Sequence, residues 1–104
     1  MIVTTTGSVD GRQIASYLGI VGGEAVMGSN FVRDFFASVR DTLGGRSGSY
    51  QKELRKARAL AIADMKEEAE DMGADAVIGI ALDVEVIGDS MLMVTVSGTA
   101  VKFA

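Results

Sequence analysis

Asp83 and Glu85 stand two residues apart in an alternating apolar stretch, so a strand there sets both carboxylates on one face. Carboxylate oxygens are hard ligands suited to calcium or magnesium, and a symmetric ring would repeat the pair at every subunit. Set against that, two carboxylates on an exposed strand are usually just solvated. A second set, Glu24, Asp34, Arg46, Ser47 and Tyr50, makes a candidate ligand-binding or interface group. Arg46 sits in Gly44-Gly45-Arg46-Ser47-Gly48-Ser49, whose glycines, hydroxyls and following helix start favour a small anion. The same glycines serve a helix–helix reversal, and no Gly-Lys-Ser/Thr ending is present, so a structural link is the favoured reading. Arg46 then pairs most simply with Glu24 or Asp34, whose carboxylates match the guanidinium fork. Thioethers at Met27, Met91 and Met93 could hold copper(I), but a methionine in a hairpin usually fills a gap in a core.

Composition removes most other chemistry. The 104 residues include no cysteine and no histidine, which excludes disulfides, zinc fingers, thiolate nucleophiles and an imidazole general base. No spacing of Ser, Tyr, Lys and carboxylates suggests a nucleophile–base pair, so an enzyme is not expected. The net charge of −4 argues against nucleic acid as the main partner. The longest apolar run, Ala76 to Leu82, is far short of a membrane span, and the chain opens on a strand pattern rather than a basic leader. A cytoplasmic protein is therefore expected. A hydrophobic fraction of 48% is high for a short chain without a span and points to surface buried between subunits.

The elements that must position these residues follow from periodicity. Ile2 to Thr5 and Ile14 to Met27 read as strands. Gly22-Gly23 interrupts the second, indicating a bulge, a close backbone approach or, more simply, a bend. Asn30 offers a cap to a first helix whose stripe is Phe31, Phe35 and Val39 with Val32, Phe36 and Leu43, ending at Gly44-Gly45. A second helix is expected from Tyr50 to Met72, capped by Ser47 or Ser49 and stopped by Gly73. Leu54, Ala57, Ala61, Met65 and Met72, with Leu60 and Ala69, mark its expected buried stripe. Its charges run against the helix dipole, with Lys52, Arg55, Lys56 and Arg58 first and Asp64, Glu67, Glu68, Glu70 and Asp71 last. Counter-charges from other segments or subunits would explain that order.

The last third reads as a hairpin. Ile78, Ile80, Leu82, Val84 and Val86 alternate on one strand, and Leu92, Val94, Val96, Gly98 and Ala100 on the other. Pairing Ile87 with Met91 across Gly88-Asp89-Ser90 sets Val84 opposite Val94 and Leu82 opposite Val96, with the apolar side chains on one side. A two-residue turn would send half of them to the wrong face.

The order β-β-α-α-β-β comes with Gly23-Glu24-Ala25-Val26, Arg33-Asp34, Gly44 to Tyr50, Gly73-Ala74-Asp75-Ala76 and Ser97-Gly98-Thr99-Ala100-Val101. In these features the whole chain resembles the bacterial YbjQ family, labelled heavy-metal-binding and otherwise uncharacterised. The resemblance implies an α+β, dodecin-like subunit, two helices on an antiparallel β-sheet, assembling into a ring-like homopentamer. Gln51 departs from the glutamate usual in the family after the tyrosine. Two functions remain: a ring that binds a metal ion, small anion or other small ligand between subunits, or a scaffold whose partner is another protein. Soft heavy metals prefer thiolate and imidazole, which this chain lacks.

Overall fold

The computed structural model describes residues 1–27, 48–87 and 91–104, and for residues 48–50 the backbone. Among these residues the order is β1 (Ile2–Val3), β2 (Ile14–Met27), α1 (Gly48–Asp71), β3 (Ala76–Ile87) and β4 (Met91–Phe103). The four strands form one sheet in the order β1-β3-β4-β2.

The hairpin has the expected register, with Ile87 opposite Met91, Val84 opposite Val94 and Leu82 opposite Val96. β2 pairs antiparallel with β4 without a shift from Ile20–Thr99 to Met27–Leu92. Gly22-Gly23 is thus neither a bulge nor a break in the ladder. Gly23 instead makes a close backbone approach, one of the expected alternatives, and it makes it to the helix. A β-carbon on Gly23 would overlap the Ala61 carbonyl oxygen and stand 2.7 Å from the Met65 nitrogen. Helix backbone lies directly on strand backbone here, which only glycine permits.

α1 ends in two hydrogen bonds that satisfy its last carbonyls: Gly73 N–H donates to Glu70 O (2.9 Å) and Ala74 N–H to Ala69 O (3.0 Å). Gly73 takes φ +78° at that stop, which a side chain would disfavour. Ala57, Ala61, Met65 and Ala69 are buried with Val21, Val77, Val94, Val96 and Ala100 in the main core between helix and sheet. Small side chains at three of those four helix positions bring the helix close to the strands. A second core on the opposite face joins Ala76, Ile78 and Val101, with Val9, Ile14 and Phe103 against them. The Arg12 guanidinium covers the Phe103 ring at 4.2 Å.

Several expectations are corrected. The sheet is mixed, not antiparallel, because β1 runs parallel to β3, Ile2 opposite Ala76 and Val3 opposite Val77. The ladder continues as Thr4 N–H donates to Val77 O and Ile80 N–H to Thr4 O. A two-residue strand carries no periodicity that could reveal its direction. Among the described residues there is one helix, so the order is β-β-α-β-β rather than β-β-α-α-β-β. The expected first helix, with its phenylalanine stripe, falls on residues 30–43, outside the described residues. Within α1, Leu60 is 61% exposed and Met72 39% exposed instead of buried. Leu60 projects opposite the alanine stripe, and Met72 lies beyond the last helical residue. Ile78 and Leu82 take opposite faces because a bulge at Gly79–Ile80, with Gly79 at φ +60°, inserts one residue between them.

Candidate functional site

Alternation sets the composition of the sheet's outer face. Val21 and Gly23 are buried against α1, so Glu24 projects the other way. Val84 pairs with buried Val94, so Asp83 and Glu85 also project outward. The register then forms a cross-strand row, Glu24–Thr95–Asp83, followed by Val26–Met93–Glu85. All three carboxylates are exposed. Glu24 and Asp83 are two strands apart, about 9–10 Å at the backbone for ordinary strand spacing. Among the described residues no three Asp, Glu, His or Cys side chains converge as a metal ion requires. Within one subunit the outer face is an acidic strip, not a chelate.

Asp34, Arg46 and Ser47 lie outside the described residues, as does the expected pairing of Arg46 with Glu24 or Asp34. Tyr50 is described in backbone only, in the first turn of α1. Met27 is half-buried against the main core and acts there as an apolar filler, while Met91 is 38% exposed and Met93 half-buried on the outer face.

Two of the acids expected to meet counter-charges, Asp64 and Glu68, instead accept hydrogen bonds from strand backbone. Gly22 N–H donates to Glu68 Oε2 and Glu24 N–H to Asp64 Oδ2, each at 3.2 Å. β2 is an edge strand, and its outward amides would otherwise seek another chain. Asp64 and Glu68, one turn apart, cover that edge. The signal was available: acids at i and i+4 on the helix and alternate amides around a glycine pair on a strand. Asp75 acts similarly, its carboxylate accepting the Phe103 N–H at 2.9 Å.

The other edge is open. β1 and the segment behind it accompany β3 only as far as Ile80, and among the described residues no strand pairs with the outer edge of residues 81–87. α1 lies over β2 and β4 and barely reaches β3. Leu82, Val84 and Val86 are consequently 36%, 50% and 53% exposed. Between them and the helix runs a groove of about 270 Å³, floored by Leu54, Leu82, Val84 and Val94 and rimmed by Arg55, Arg58 and Gln51.

Among the described residues these features define a small α+β protein, one helix on a mixed four-stranded sheet, with one edge covered and the other without a partner strand. A solved structure of a protein of unknown function from Pediococcus pentosaceus, assigned to the DUF74 family, shares this fold at a TM-score of 0.67 and 18% identity, covering 100% of this chain and 98% of that one. The chain belongs to the YbjQ family, described as "Putative heavy-metal-binding", whose model matches residues 1–104. UPF0145 proteins of Bacillus thuringiensis subsp. konkukian and Bacillus cereus are each 58% identical over 102 residues, which is 98% of this chain and 99% of theirs. No enzyme name accompanies these relatives. The donor set does not suit a soft heavy-metal ion. The sequence has neither thiolate nor imidazole, and the carboxylates on the outer face prefer hard cations.

Proposed function

We propose that the chain is a subunit of a homopentameric, cytoplasmic ring that holds a hard cation or other small ligand between neighbouring subunits. The observation that carries this reading is the open edge of β3. Along residues 81–87 alternate backbone groups have no partner strand among the described residues, beside three exposed aliphatic side chains, a combination that soluble proteins normally blunt or cover. The subunit's shape agrees. Its radius of gyration is 16.5 Å, against about 13 Å for a compact domain of this length. Asp83 and Glu85 lie on that same open strand, so an adjoining subunit would bring further oxygen ligands to carboxylates that do not chelate alone. The pentameric number rests on the family resemblance.

Light scattering at micromolar concentration tests the assembly, with about five times the subunit mass expected. A mass near 10.9 kDa would refute it. Metal analysis and bound-ligand mass spectrometry on natively purified protein, with the D83N/E85Q variant alongside, test the ligand. A specific observation supports a second reading, a scaffold whose partner is another protein and which holds no ligand: the exposed aliphatic side chains of Leu82, Val84 and Val86 suit a protein surface. An assembled protein that carries no metal or small molecule would support that reading.

A further inference from the structure

α1 has a second face that takes no part in the cores formed by the described residues. Opposite the buried alanine stripe, Lys52, Lys56, Leu60, Ala63, Glu67 and Asp71 recur at spacings of three and four and share one side of the helix. All six are exposed, Leu60 by 61%. The centre of this stripe is apolar and small, its N-terminal end basic and its C-terminal end acidic. In an isolated subunit that order sets like charges beside one another at both ends of the stripe. Lys52 and Lys56 are like charges one turn apart, as are Glu67 and Asp71. The first turn holds no acid and the last turn no base, so the helix dipole is opposed at both ends.

An antiparallel copy of the same helix removes each of these conflicts. Around a two-fold axis midway between residues 61 and 62, position 52 meets 71, position 56 meets 67 and position 60 meets 63. Lys52 then faces Asp71 of the second copy, Lys56 faces Glu67, and Leu60 packs on Ala63, a side chain small enough for close helix approach. By symmetry each charged match occurs twice. Glu53 opposite Glu70 is the single like-charged match in this register, and it lies at the rim beside Lys52. We infer that the outer face of α1 is a self-complementary docking surface, and that its occupant is the α1 of a second copy of this chain, antiparallel across a two-fold axis. The contact is separate from the open β3 edge, which lies beyond the part of the sheet that α1 covers. It would therefore join two rings, or two subunits if no ring forms.

Charge reversal tests it. Analytical ultracentrifugation would compare the wild type, the single variants K56E and E67K, and the K56E/E67K swap. Each single variant turns two attractive contacts into repulsive ones, weakening the association by roughly tenfold. The swap restores both contacts and should restore the wild-type mass, which also shows that the substitutions do not unfold the chain. A dissociation constant, read from a concentration series, raised about tenfold in both single variants and recovered in the swap supports the proposal. Dissociation constants unchanged in the single variants, or not recovered in the swap, overturn it. Failure of the ring reading is distinguishable, because a helix-paired protein without rings has a wild-type mass of two subunits.

Discussion

Replacing Gly23 by alanine adds one methyl group at the point where α1 rests on β2. That methyl would overlap the Ala61 carbonyl oxygen and stand 2.7 Å from the Met65 nitrogen. Both obstacles are helix backbone, so no rotamer change relieves them. Ordinary contact at about 3.5–4 Å would require the helix to withdraw by roughly 1 Å or more, and such a gap forfeits a quarter to a half of the contact energy along its lining. The lining is the buried stripe Ala57, Ala61, Met65 and Ala69, and the Gly22–Glu68 and Glu24–Asp64 hydrogen bonds would stretch with it. Overpacking a core costs about 1–3 kcal/mol, and a backbone obstruction belongs at or above the top of that range. We therefore expect Gly23→Ala to cost about 3–5 kcal/mol, much of the 5–15 kcal/mol typical of a domain. Gly22→Ala is the matched control, since its methyl would meet only the Val96 carbonyl oxygen, at 3.2 Å. It should cost less than about 1 kcal/mol, as mild crowding trades against glycine's unfolded-state entropy. Urea unfolding followed by circular dichroism measures both, at one protein concentration so that any assembly enters each variant under the same conditions. Equal midpoints for the two variants, or a Gly23→Ala protein within about 1 kcal/mol of wild type, would refute the direct backbone contact.

Gly98→Ala should cost about 1–3 kcal/mol in the same assay, because a β-carbon there would stand 2.7 Å from Val77 Cγ1 and 2.8 Å from Ile80 Cγ2. Removing both edge acceptors in D64A/E68A should cost about 0.5–1.5 kcal/mol per hydrogen bond and speed hydrogen exchange at the Gly22 and Glu24 amides, while unchanged exchange would deny them the covering role. Zinc, cadmium and mercury should bind chelator-treated protein only weakly in isothermal titration. A nanomolar zinc dissociation constant that survives D83N/E85Q would show that other groups carry the binding.

What the chain alone determined is what local periodicity controls. A period of two and the parity of a three-residue turn specified the hairpin register, since any slip would have turned Val94 and Val96 outward. The bounds of β2, the glycine stop of α1 and the outward placement of Asp83 and Glu85 were legible for the same reason. The missing thiols and imidazoles limited the metal chemistry before any fold was known.

Tertiary structure decided whatever depends on segments far apart in the chain. The parallel pairing of β1 with β3 joins residues more than seventy positions apart, and two residues cannot encode a direction. Gly23 and Ala61 meet only because the helix crosses β2, so the reason for glycine there lies in a partner the local pattern does not contain. The bulge at Gly79 exchanged the faces of Ile78 and Leu82 because one extra residue inverts a two-residue period. Placement of Glu24 and Asp83 in one row came from β2 and β3 flanking the same strand, β4. Side-chain pattern determines which face a residue takes, whereas long-range packing determines what that face meets, and among the described residues it leaves the end of β3 without a partner strand.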